Sequence, residues 1–229
     1  MAGVDISGTV RERAARELRD RILTGVLPAG ARIDLDAITE EFATSRTPVR
    51  EALLELSFEG LVRVAPRSGI TVLGIGAADI SDSFTLLGVL TGQAAAWAAQ
   101  RATAEELENL RTLAADVERL SGDDRIGEAN WHFHQEIHRA AHSPRLLAQI
   151  KLASRVVPSN FLRMFPDHEQ HALHEHTQLL DTLAAHDAEQ ARALAERHVL
   201  DAGESLVGWL RQRESAADQP SSFQSSRPS

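Results

Sequence analysis

A mostly α fold in two parts is what this sequence predicts, and three features predict it. The run Ser45-Arg46-Thr47-Pro48-Val49-Arg50-Glu51-Ala52-Leu53, extended to Leu56, carries apolar residues three and four apart, the stripe of an amphipathic helix. Two short β-type runs, Leu61-Val62-Arg63-Val64 and Ile70-Thr71-Val72-Leu73, flank Ala65-Pro66-Arg67-Ser68-Gly69, the signal of a hairpin with a glycine-containing loop. Beyond Gly74-Ile75-Gly76 every periodic segment is helical. The reading is an N-terminal winged helix-turn-helix followed by an all-α antiparallel six-helix bundle.

Residues 1–8 read as a flexible N-terminus and residues 9–74 as the first domain. Its first helix, from Thr9 to Thr24, buries Val10, Ala14, Ala15, Leu18, Ile22 and Leu23, and Gly25 can close it. After the turn at Pro28-Ala29-Gly30, Asp34 or Asp36 can cap a second helix through Ile38 and Phe42. Ser45 can cap the third, and Pro48 falls in its first turn, where backbone N–H groups lack helical partners. A linker, 75–79, leads to a helical ligand-binding domain, 80–213. Its helices are expected near 77–101, 103–121, 124–141, 144–164, 167–186 and 188–213, and short breaks between them make neighbours antiparallel. The Ser-, Gln- and Pro-containing stretch 214–229 reads as a disordered tail.

Composition narrows the function. The chain of 229 residues has no cysteine, so disulfides and thiolate metal sites are excluded. No apolar run approaches the ~20 residues of a membrane helix, and the short polar N-terminus has no signal-peptide pattern, so a cytoplasmic location without membrane contact is expected. The net charge of −9 excludes a uniformly basic surface, although a nucleic-acid partner needs only a local patch.

Such a patch lies on the third helix. Arg46 and Arg50, four apart, sit side by side off the apolar stripe, with Thr47 further out. A helix buried along one side that offers two guanidiniums and a hydroxyl at its N-terminal end has the layout that reads base edges and phosphates in the major groove. Arg63 and Arg67 on the wing would meet phosphate, and Gly69 would let the backbone approach the duplex. The run SRTPVREAL followed by EGL resembles the recognition helix of the GntR family of bacterial transcription regulators. That resemblance implies a homodimer on a palindromic double-stranded DNA operator, with Ser45, Arg46, Thr47, Arg50, Arg63, Arg67 and Gly69 at the contact.

The bundle adds a polar cluster. His134 and Asn130, one turn apart, flank the stripe Ile126, Phe133, Ile137; His176 lies on the stripe Ala172, Leu179, Leu183; His198 lies among Leu194, Ala195, Ala202 and Leu206. By the same periodicity His168 falls toward a polar face and His138 is ambiguous. Neutral imidazoles converging from three helices would suit a divalent transition metal. The pattern is similar to FCD effector domains of the FadR subfamily, in the VanR-like branch, which carry Asp-x-x-x-His on one helix and one histidine on each of two later helices. The resemblance implies a metal (zinc, nickel or manganese) on Asn130, His134, His176 and His198, and a small organic acid effector beside it. Asn130 departs from the usual aspartate, and Leu87 and Thr91 stand where related domains often have an arginine and a glutamate. The implied function is a metabolite-responsive transcription regulator, a repressor and not an enzyme. Two rivals are a metal-dependent hydrolase or lyase, which lacks a clear second acid or base, and a helical dimerisation scaffold without ligand.

Overall fold

The structure, a computed structural model, describes residues 8–65 and 69–217. Thr9 opens α1 (Val10–Leu23) through a reciprocal cap with Glu12, and Gly25 follows its C-cap at φ +66. Asp34 accepts from the amides of Asp36 and Ala37 to start α2 (Leu35–Glu41), and Ser45 holds the N-cap position of α3 (Arg46–Phe58) without a side-chain cap bond. Val49, Ala52, Leu53 and Leu56 of α3 are buried as their spacing requires, Ala52 with Ala14 and Ala15 of α1 and the others with Leu18 and Ile22 of α1 and Ile38 of α2.

The hairpin of β2 (Val62–Ala65) and β3 (Gly69–Val72) is joined by a strand the periodicity did not announce, β1 (Arg32–Ile33), in the order β1-β3-β2. Two residues are too few to display an alternation, and pairing of Arg32 with Thr71 and Ile33 with Ile70 is a tertiary event.

The second part contains α4 (Ala77–Arg101), α5 (Ala104–Arg119), α6 (Ile126–Ala140), α7 (Pro144–Ala153), α8 (Phe161–Met164), α9 (Pro166–Ala184) and α10 (Ala188–Ala217). The all-helical bundle is as expected, and one of its six expected helices is broken. The segment 144–164 is not one helix: α7 passes into a single 3₁₀ turn at Ser154–Val156, and α8 is one turn long. Pro158 is the cause, since it lacks an N–H and drives Val157 to an extended conformation (φ −86°, ψ 116°). The tail reading fails for residues 214–217, which continue α10. Ala216 and Ala217 favour helix, and the Ser- and Pro-rich composition begins only beyond them. The long helices α4 and α10 pack closely where glycine permits it: a Cβ on Gly92 would lie 3.0 Å from the Arg192 carbonyl oxygen. Among the described residues no helix is long and apolar enough to cross a membrane.

Candidate nucleic-acid interface and metal centre

The outer side of α3 is polar at its N-terminal end because its apolar stripe is turned inward. Ser45, Arg46, Thr47 and Arg50 are all exposed. Arg46 pairs with Asp36 of α2 at 2.7 Å, both largely exposed, an ion pair of the kind worth at most about 1 kcal/mol and readily exchanged for phosphate. Arg50 and Arg63 are exposed and have no ion pair among the described residues. Gly69 stands at φ +85, a left-handed conformation that a side chain would strain. Arg67 lies outside the described residues. Sequence reasoning missed Arg32: the register places it opposite Thr71, which itself faces Arg63, so two exposed guanidiniums flank one threonine on the outer face of the sheet. The sequence held no signal for it, since a strand of two residues shows no alternation.

Behind this unit, α6, α9 and α10 bring His134, His176 and His198 together, each offering a ring nitrogen within 4.8 Å of the others. Ring centroids of His134 lie 5.0 Å from His176 and 4.9 Å from His198. Both nitrogens of His176 and the Oδ1 of Asn130 are buried without a hydrogen-bond partner. A neutral imidazole has one nitrogen that donates and another that accepts, and leaving such a buried ring unpaired costs about 1–3 kcal/mol. A metal ion would satisfy an imidazole lone pair and an amide oxygen at once, so the residues present fit one.

Electrostatics favour the deprotonated ligand form. Burial first, then the neighbouring imidazoles, hold His134 and His176 well below the ordinary imidazole value. His198 Nδ1 lies 2.7 Å from a Glu175 carboxylate oxygen. Glu175 is itself held below its usual range, chiefly by that bond, and a carboxylate only accepts. Nδ1 of His198 is therefore the donor, which leaves Nε2 with its lone pair for the cluster, the carboxylate–histidine arrangement that orients metal ligands.

Two further imidazoles stand closer than periodicity indicated. His168 lies 6.0 Å from His198, with its value pushed down to about 4 by burial and then by His198. His138 is buried, and burial lowers it to about 4. The signal for His168 was its spacing of four from Ala172, itself four from His176. A groove of about 520 Å³ between α5 and α9 has His176, Arg111, Thr177 and Asp181 among its lining residues. Leu87 and Thr91 contribute no free polar group: both are buried, and the Thr91 hydroxyl donates within its own helix to Leu87 and Gly88.

The family model for bacterial regulatory proteins of the gntR family matches residues 10–72, and that for the FCD domain matches residues 82–201. The chain is 30% identical over 196 residues to the "Probable D-xylose utilization operon transcriptional repressor" of Paenarthrobacter nicotinovorans, across 82% of this chain and 87% of that one. Over 72 residues, 31% of this chain and 29% of the other, it is 39% identical to the gluconate operon transcriptional repressor of Bacillus subtilis. The solved structure of McbR/YncC of Escherichia coli superposes with a TM-score of 0.69 at 24% identity, over 90% of this chain and 99% of that one, a likeness of fold.

Proposed function

Because this chain belongs to the gntR family of bacterial regulatory proteins and carries an FCD domain, we propose that it is a repressor whose operator binding responds to a small organic acid bound beside a metal. The family consists of transcription regulators, which are not enzymes, so the histidines need no hydrolase or lyase role. The observation that carries the metal reading is the convergence of three imidazoles, one of them with both nitrogens buried and unpartnered, in the domain joined to the helix that exposes Arg46 and Arg50.

Ser45, Arg46, Thr47 and Arg50 enter the major groove, while Arg63, Arg67 and the glycine-flanked wing meet the backbone. His134, His176, His198 and Asn130 would hold zinc, nickel or manganese, which would supply a positive charge to attract a carboxylate. Glu175 fixes the ring of His198. A homodimer on a palindromic operator is supported by the apolar side chains left exposed on adjacent helices, Leu86 and Val89 of α4 and Leu152 of α7. A palindrome repeats its half-site by a two-fold axis, which a two-fold dimer matches.

The test is selection of bound fragments from the source genome with the untagged protein, alongside metal analysis after reloading. Recovery of a palindrome and about one metal per chain supports the reading. A protein that takes up no metal rejects the histidine centre, and one that enriches no sequence rejects the operator.

A further inference from the structure

One ion network joins the two halves of the molecule. Glu59, just past α3, accepts two bonds from Arg19 of α1, at 2.7 and 2.8 Å. The same carboxylate accepts from Arg155, in the 3₁₀ turn after α7, at 2.5 Å, and Arg155 also reaches Glu55 of α3 at 3.0 Å. Arg11 of α1 completes the set on Glu55 at 2.6 Å. Three arginines thus share two glutamates. Arg19 is 7% exposed and bidentate, so α1 and α3 are held together without Arg155. What Arg155 adds is a grip of the second domain on the far end of the helix that exposes Arg46 and Arg50.

The chain that leaves the turn carrying Arg155 runs on toward the histidine cluster. Two residues past it the chain breaks at Pro158, and Ser159 donates from both its amide and its hydroxyl to Asp20 of α1. On the other side, the Ser159 carbonyl lies 3.2 Å from where a Cβ on Gly127 would sit, on the helix that carries Asn130 and His134. Phe161 stacks edge-on against His168 at 5.2 Å, and His168 neighbours His198 at 6.0 Å. Residues 154–161 therefore run from the Arg155 ion pairs with α3 to the ring of His168, which lies beside His198.

We propose that Arg155 is a positioning residue for operator recognition: through Glu55 and Glu59 it fixes α3 to the turn 154–161, so that occupancy of the histidine cluster sets how α3 is presented to DNA. This rests on the metal reading given above. An element of this kind transmits only if its two arrangements have unequal affinity for metal, and by reciprocity operator DNA then alters metal affinity by the same factor.

The experiment uses the full chain, the selected operator duplex and zinc alone as the probe. Zinc binding is titrated separately from operator affinity, which is measured with zinc and with chelator, for the wild type, Arg155→Ala and Arg155→Lys. The wild type should change operator affinity on zinc addition by on the order of 5- to 150-fold. Arg155→Ala should bind zinc as the wild type does, keep its helical circular dichroism, and lose that response to within about twofold. Arg155→Lys, which can still reach one glutamate, should retain part of it. An Arg155→Ala protein that responds like the wild type overturns the proposal. So does a wild type that binds zinc without any change in operator affinity, and in that case the metal site itself stands. A wild type that binds no zinc removes the site and the coupling together.

Discussion

Replacement of His176 by leucine should move stability in opposite directions with and without metal. The imidazole is 3% exposed and neither ring nitrogen has a partner, so in chelator the folded state carries a desolvation cost of about 1–3 kcal/mol. Leucine, similar in volume, removes that cost without opening the cavity that alanine would leave. At roughly 2–4 °C per kcal/mol for a chain of this size, His176→Leu in chelator should melt about 2–12 °C above the wild type. With free zinc at a hundred times its Kd, the wild type gains about 2.7 kcal/mol, or roughly 5–11 °C, whereas the variant has lost a central ligand and should gain almost nothing. The assay is calorimetry of both proteins in chelator and across a zinc series. If His176→Leu melts below the wild type in chelator, the imidazole is satisfied by water or a neighbour and the fit argument is wrong. An undiminished zinc-dependent rise in the variant places the metal elsewhere.

Arg50→Ala should weaken operator binding by about 1–3 kcal/mol if the guanidinium makes a bidentate base contact, and unchanged affinity on a cognate duplex would remove Arg50 from the interface. Glu175→Ala should lower zinc affinity about 10- to 100-fold by freeing the ring of His198, measured by competition with a chromophoric chelator; equal affinity would mean that the 2.7 Å bond orients nothing. Acid should destabilise the metal-free protein through His138: its folded value of about 4 lies below the ordinary imidazole value, so the contribution is complete above about pH 6.5 and fades as pH falls toward 4, by up to about 1.4 kcal/mol per unit. Denaturant midpoints at pH 7 and 5 should therefore differ less for His138→Leu than for the wild type. Asn130→Asp should tighten zinc binding by adding a negative ligand while weakening any carboxylate that binds beside it; no change in zinc affinity would leave Asn130 outside the coordination shell.

How much of this was legible in sequence depended on how local each cause is. The recognition helix could be read because Val49, Ala52, Leu53 and Leu56 repeat at the helical period and one Ser-Arg-Thr-Pro run marks its start. The three cluster histidines could be read because His176 and His198 fall on the apolar stripes of long helices and His134 on the flank of another, so an inward placement followed from arithmetic. β1 could not, since its two residues exist as a strand only through β3. The break at Pro158 was readable from the proline itself, although Val156, Phe161 and Leu162 on either side of it are all buried. Glu175 illustrates the limit: nothing in the sequence distinguishes its carboxylate from a solvated one, and only the meeting of α9 with α10 gives it His198.

The donor set also constrains what the second ligand can be. Three neutral imidazoles and an amide would surround a divalent ion without contributing any charge, and the near carboxylate, Glu175, stands behind His198 and not among the cluster. A unit charge 4 Å from another is worth about 4 kcal/mol at an effective dielectric constant near 20, so two positive charges left uncompensated in a half-buried chamber are a strong attraction for an anion from outside. Where a family member has aspartate, part of that attraction is spent on the protein's own ligand. With Asn130 it would remain available to a carboxylate from outside, so on the proposed reading the residue expected to weaken the hold on a metal would also favour an acidic effector.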